Sequence, residues 1–513
     1  MFRPAAALTR TAIFLHRWMG VALSLIFMLW FLSGIVMMYW SFPSVNAKDR
    51  LEHLPVLDPA TIKVPPLEAY RVLLSERAPS QVRLNSFDGR PVYRFRTGRD
   101  ERLVYADTGL EQVQVSQEML RRIAADWTGP NAGQATEAPV TEPDQWTVQG
   151  QLRNLRPLWK YSFPDGQQVY VSGINGEVVQ YTTTRSRLWA YLGAIPHWLY
   201  FTPLRVHQKA WSNVVIWTSG IGTVSTLLGI AIALWMYSPS KRYRYSGEPS
   251  SIPYQGQKRW HMIFGLLFGV LACTWAFSGM LSMDPFPTNT GGPTRPTGLA
   301  RVANALRGGR FELAAFSQRQ PSEALRAAGD FGAREVELAT VTDEPMYVAT
   351  SAAGTSLFIP LKDAPFTDFG QARVAEAIRR ATASTPLDIR LMTEYDAYYL
   401  DRHGEKPLPV LLVTEKGSDA ARYYVDPKTA RVVGNYSSAR WVNRWLYHGL
   451  HSLDFPWLYK YRPLWDIVVI TLMLGCTALC VTSLILTWQV LQRKVAALTP
   501  GQPDAAEELS AKG

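Results

Sequence analysis

Eight histidines occur in the chain, and six of them, His16, His197, His207, His261, His448 and His451, fall at or beside long apolar stretches. A neutral imidazole carries one free nitrogen lone pair, so it can ligate a metal, and two facing imidazoles can hold a haem iron from both axial sides. Ligand-capable side chains at membrane depth are costly and therefore mark function. For any single one of the six, an interfacial histidine satisfied by hydrogen bonds is the plainer alternative. His53 and His403 lie in polar sequence and need only a surface role.

The remaining chemistry narrows by exclusion. No His-Glu-x-x-His occurs, and no histidine in an apolar stretch has an acidic neighbour at zinc-ligand spacing. His448 and His451, three residues apart, leave a small metal site as an alternative. Cys-x-x-Cys-His is absent, which excludes covalent c-type haem attachment. The three cysteines, Cys273, Cys476 and Cys480, sit in apolar stretches, so the polar segments hold none that could form disulfides. A proton relay needs carboxylates at depth, and the apolar stretches are expected to lack them. No G-x-G-x-x-G fingerprint appears, so a nicotinamide or flavin donor would be a separate protein. The net charge of +11 flanks the apolar stretches without a compact basic motif, which argues against nucleic acid as a partner.

Four apolar stretches, 13–40, 211–237, 260–283 and 464–491, must position these histidines. Each reaches the roughly 20 residues that a helix needs to cross hydrocarbon. The first is too long for a signal-peptide core and lacks a small-residue cleavage site, so it reads as a retained anchor. Arg3, Arg10 and Arg17 accompany the N-terminal segment 1–12 and the start of the first span. Lys241, Arg242, Arg244, Lys258 and Arg259 fill the loop 238–259, and Arg493 and Lys494 begin the tail 492–513. Basic short segments face the cytoplasm. The long segments 41–205 and 284–460 then lie outside it, in the periplasm of a bacterium.

Both long segments read as α+β. Alternating residues 161–179 surround an Asn175-Gly176 turn, a hairpin signature echoed over 422–433 with Ala430 near the position of Gly176. Residues 369–381 read as helix, 284–300 as a Gly/Pro/Thr-rich loop, and the polar stretch from Thr499 as disordered. The expected fold is an integral membrane four-helix bundle beneath two external α+β domains.

The halves repeat. Shifted by 245 positions, His16, Gly20, Trp30, Ser33 and Gly34 fall on His261, Gly265, Trp275, Ser278 and Gly279. Shifted by 254, His197, Phe201, Leu204 and Trp211 fall on His451, Phe455, Leu458 and Trp465. Such halves would pack with approximate twofold symmetry. His16 and His261 fall near the cytoplasmic face, and His197, His207, His448 and His451 near the external one. His207 and His448 break the repeat, since their counterparts are Tyr461 and Ala194. Gly20 and Gly265 lie four residues after their histidines, on the same helical face. A missing side chain there leaves room for a flat macrocycle, with helix packing as the alternative. Trp30, Trp217 and Trp275 lie within the spans, where core packing is their plainer role.

Leu15-His-Arg-Trp-Met-Gly20, Ile195-Pro-His-Trp-Leu-Tyr-Phe-Thr-Pro-Leu-Arg205, Arg259-Trp-His-Met-Ile-Phe-Gly265 and Leu446-Tyr-His-Gly-Leu-His-Ser-Leu-Asp-Phe-Pro456 resemble the PepSY-associated membrane proteins of the bacterial inner membrane. The two hairpin stretches resemble PepSY modules, whereas 41–145 and 284–400 are poorly covered. The resemblance implies two non-covalent b haems, one held by His16 and His261 on the cytoplasmic side and one by His197 and His451 on the external side. His207 and His448 are implied as replacement ligands or haem-edge residues. It further implies an oxidoreductase that passes electrons from a cytoplasmic or quinol donor to a periplasmic acceptor such as a ferric siderophore. PepSY modules also occur as protease-inhibiting or sensory units, so a membrane-anchored regulator is the alternative. A chelate permease would need broken or polar spans, which the four stretches do not offer.

Overall fold

The computed structural model describes residues 6–98, 100–130, 132–286, 297–309, 311–382, 387–402, 404–415 and 421–498. His403, Arg3, most of the loop expected at 284–300 and the tail from Thr499 lie outside the described residues. The chain divides into two compact units, one formed by 1–42, 185–288 and 441–513, the other by 43–184 and 289–440.

The first unit is built on four long helices, Ala6–Met37, Gln208–Met236, Gly256–Leu281 and Leu464–Leu498, here the first to fourth spans. All four are long and apolar enough to cross a membrane. Their outward faces carry exposed Leu25, Leu29, Trp217, Val224, Leu267, Val270, Leu474 and Val481. A helix bundle in water would not display so broad an apolar surface, whereas lipid favours it. The first and third spans each pack against the second and fourth, so the two helices carrying His16 and His261 face one another diagonally. Phe31 and Trp275 meet across that diagonal at 5.7 Å between ring centroids. One acid does enter a span: Asp466 lies in the first turn of the fourth and accepts from Arg462 (2.6 Å) and from the Tyr39 hydroxyl (3.1 Å). It sits at the helix end and is charge-paired, so the interiors of the spans remain free of carboxylates.

The second unit joins the two long segments, which the sequence suggests as separate domains, through one antiparallel seven-stranded sheet. Its order is Ser356–Pro360, Glu344–Ser351, Ala333–Val341, Gln81–Phe87, Arg90–Thr97, Asp100–Tyr105, Glu111–Gln112. The seam pairs Val82, Arg83 and Leu84 with Leu338, Glu337 and Val336. Val82, Leu84, Val336 and Leu338 are buried in one shared core with Tyr93, Phe316 and Tyr347, so neither segment closes that core alone.

Each segment also contributes a four-stranded antiparallel sheet, over 136–182 and 387–436. Both expected hairpins are present. Gln168–Ser172 pairs with Val178–Thr182, and Arg422–Asp426 with Arg431–Tyr436, each with a bulge at the matching step, Tyr170/Val171 and Tyr424/Val425. Gly176 takes φ +68°, and Ala430 holds the corresponding position at φ +51°, a conformation that disfavours a Cβ. The helix expected at 369–381 spans Gln371–Ala381.

Beside the seam, Glu101 contacts Arg83 at 2.8 Å, Arg94 at 3.5 Å and Arg96 at 3.6 Å. Burial pushes its carboxyl up, but the three guanidiniums outweigh burial and hold it below the usual range. A depressed folded value means that the stabilisation is present above the unfolded pKa and lost as pH falls through the folded one. Glu101→Gln is expected to cost about 1.5–3 kcal/mol near neutrality. In thermal melts of the full-length protein, the gap between variant and wild type should close as the medium is acidified; a gap independent of pH would refute the assignment.

Candidate functional site

Two pairs of histidines meet inside the first unit. His16 on the first span and His261 on the third lie 6.1 Å apart between ring centroids, with planes inclined by 40°. His197 and His451 lie 6.0 Å apart, inclined by 64°. These last two come from short helices that precede the second and fourth spans, Ala194–Trp198 and Leu450–Ser452.

Each ring is tethered through Nδ1. His16 Nδ1 lies 2.9 Å from the Ser225 carbonyl and His197 Nδ1 lies 3.1 Å from the Trp30 carbonyl. A carbonyl only accepts, so both nitrogens carry the hydrogen. His261 Nδ1 meets the Thr482 hydroxyl at 3.1 Å, and that hydroxyl itself donates to the Leu479 carbonyl. His451 Nδ1 meets the Ser278 hydroxyl at 3.0 Å, and Ser278 donates to the Trp275 carbonyl. Having given away its hydrogen, each hydroxyl must accept from the imidazole. All four rings are thereby Nδ1–H tautomers, and in each the lone pair is left on Nε2. Ser33 repeats the Ser278 arrangement, lying 3.3 Å from His197 Nδ1 while donating to Trp30. Burial, with His197 adding to it at His451, lowers the basicity of the His197 and His451 imidazoles, so they stay neutral and keep the lone pair.

His197 and His451 are delivered by matching turns. Two residues after each, Leu199 and Leu453 take left-handed backbone, φ 52° and 49°. This costs an L-residue about 1–2 kcal/mol, so other contacts must hold it. The Trp211 indole donates to the Trp198 carbonyl at 2.7 Å, and the Trp465 indole donates to the carbonyls of Ser452 and Leu453 at 3.1 Å. Ahead of His451 the segment Val442–Gly449 winds as a π-helix, a form frequent at functional sites, and buried Arg444 ties it to the turn through Asp454 at 2.9 Å. Arg205, buried against Tyr200 and Trp211, has no partner at Nε.

The His16–His261 pair borders a cavity of about 400 Å³ that is mostly apolar and lined by residues of all four spans, within the size range of cofactor sites. Gly20 and Gly265 line it: a Cβ at either would meet nothing closer than the Ser483 hydroxyl at 3.6 Å or Leu479 at 4.0 Å. They open onto space rather than onto a tight helix crossing. Buried Ser24 presents a hydroxyl there with no hydrogen-bond partner. Gly229 has a different duty, since a Cβ there would lie 2.7 Å from His16 Cε1. At the His197–His451 pair, Gly34 makes similar room for His197, at 3.3 Å.

The other candidates are elsewhere. His207 is exposed at the start of the second span, and His448 is exposed and packs against Tyr447, which in turn contacts His451. Trp217 points outward, 68% exposed. His53 stacks on Trp127 at 4.1 Å in the second unit. Among the described residues no group of three or more His, Cys, Asp or Glu is placed to hold a bare metal ion. Sequence reasoning missed Ser225, Thr482 and Gly229. Ser225 acts through its backbone, and neither Thr482 nor Gly229 coincides with a like residue under the repeat; Ser33 and Ser278 did stand out as a repeated pair.

Gly229→Ala is expected to rotate the His16 ring away from Ser225 and leave the His261–Thr482 contact intact, as a structure of the variant would record. Trp211→Phe or Trp465→Phe should each cost about 1–3 kcal/mol, read as a lower Tm in detergent, whereas Trp217→Phe should change nothing. No family model matches the chain, and no curated protein matches it.

Proposed function

We propose that the chain is a membrane oxidoreductase with two b-type haem sites, which moves electrons across the bilayer to an external acceptor such as a ferric chelate. The observation that carries this reading is the pair of imidazole couples at 6.1 and 6.0 Å, every ring tethered at Nδ1. A metal about 2.0–2.1 Å from one nitrogen of each ring sets their centroids about 6 Å apart. Hydrogen-bonding the far nitrogen is how proteins orient a ligating histidine.

His16 and His261 would hold one iron and His197 and His451 the other. The cavity, the glycine clearance and the orphaned Ser24 hydroxyl fit a flat macrocycle at the His16–His261 pair, the inner one in the orientation proposed here. Bound at these positions, haem supplies one-electron chemistry. The chain itself fixes the tautomers, excludes water with apolar walls, and fills the centre of the bundle with Phe27, Phe31 and Trp275. Matching contacts at Ser33 and Ser278, Trp211 and Trp465, and Leu199 and Leu453 support an approximate twofold relation between the halves. The basic short segments support an orientation with both termini in the cytoplasm and the second unit in the periplasm of a bacterium. The PepSY resemblance supports the same class of activity.

A visible spectrum of the purified protein, oxidised and dithionite-reduced, should show two haems per chain. Replacing His16 or His261 by Ala should remove one component, and replacing His197 or His451 the other. His207→Ala and His448→Ala should retain both. A colourless preparation refutes the proposal.

A further inference from the structure

The inner cavity carries charge of one sign. Besides its apolar wall and two imidazoles, its lining includes Arg17 and Lys258, and no carboxylate. They come from the two helices that bear the histidines. Arg17 follows His16 directly, and Lys258 lies one turn before His261, on the same helical face. Among the described residues neither cation has an ion-pair partner; Arg17 touches only the rings of Phe14 and Trp18, at 5.9 and 5.8 Å. Their neighbour Arg259, by contrast, is turned to the Ser250 hydroxyl.

A haem b has one edge bearing two carboxylates and an otherwise apolar perimeter. In a hydrocarbon-walled cavity those carboxylates need cations or water, and the uncompensated charge is expensive. Resting on the haem reading above, we propose that Arg17 and Lys258 receive the two carboxylates of the inner group. The site would then select a dicarboxylate macrocycle and orient that edge toward the basic ends of the first and third spans. Neither cation is matched by the repeat, since Arg17 falls on Met262 and Lys258 on Ile13. They break the equivalence of the two halves, and a ligand with one charged edge needs such a mark to sit in a single orientation. Both are anchoring residues that leave the iron to the histidines.

The full-length protein in detergent, stripped of haem, is titrated with haem b and with its dimethyl ester, which lacks the charges. Wild type should bind the ester at the inner site about tenfold or more weakly than the acid. In Arg17→Gln/Lys258→Gln that preference should vanish, and Arg17→Lys/Lys258→Arg should restore most of it. Recovery of the His197/His451 component on adding haem b reports that a variant is folded. Equal affinity of wild type for acid and ester, or an undiminished preference in the double Gln variant, overturns the assignment while leaving the haem reading intact. If neither compound acquires the shifted, low-spin Soret band of a haem ligated by two imidazoles, the haem reading itself is overturned.

Discussion

The arrangement of the first unit depends on where four imidazole hydrogens go. Leaving an imidazole N–H unpaired among packed helices is costly, and each of these finds an acceptor on a neighbouring element: a carbonyl for His16 and His197, a hydroxyl for His261 and His451. The hydroxyls serve only because Thr482 and Ser278 have already donated to their own helices. This one requirement fixes ring orientation, names the nitrogen that keeps its lone pair, and brings small or polar residues to apolar helices. It also explains Gly229, whose missing side chain lets the His16 ring lie against the second span.

Much of this was legible in the chain itself. Apolar length located the four helices, with differences at the ends where Arg10, Lys209, Lys258 and Arg493 extend helical winding beyond the apolar stretches. The internal repeat, which sets His16 on His261 and His197 on His451, singled out the pairs that come to lie about 6 Å apart. His207 and His448 could not be set aside from spacing, because both occur on the same segments. Their exposure follows from helix phase and from the π-helical winding before His451, which no local pattern announces. The left-handed turns at Leu199 and Leu453 were hidden for a related reason. Leucine is a poor residue for that backbone, and the turn exists because a tryptophan 12 positions later closes it.

The second unit divides along the same line. Hairpins made by neighbouring residues, such as those at Gly176 and Ala430, follow from alternation and turn chemistry. The seam between Gln81–Phe87 and Ala333–Val341 joins strands about 250 residues apart, and nothing in either strand alone specifies its partner. Arg83 and Glu337 face one another there, and Asn85 donates to Glu335, so the seam is polar on one face and closed by the shared core on the other.

That seam bears on how the protein is made. When Gln81–Phe87 is synthesised, the strand destined to lie beside it is still unwritten, and two long apolar helices must be produced first. Until then it is an open sheet edge, the kind of surface that recruits foreign strands. Arg83 and Asn85 on that edge make it a poor template for apolar partners during the wait. Completion of the seven-stranded sheet is thus coupled to production of the third span, so a nascent chain that stalls between its halves keeps an unpaired strand border.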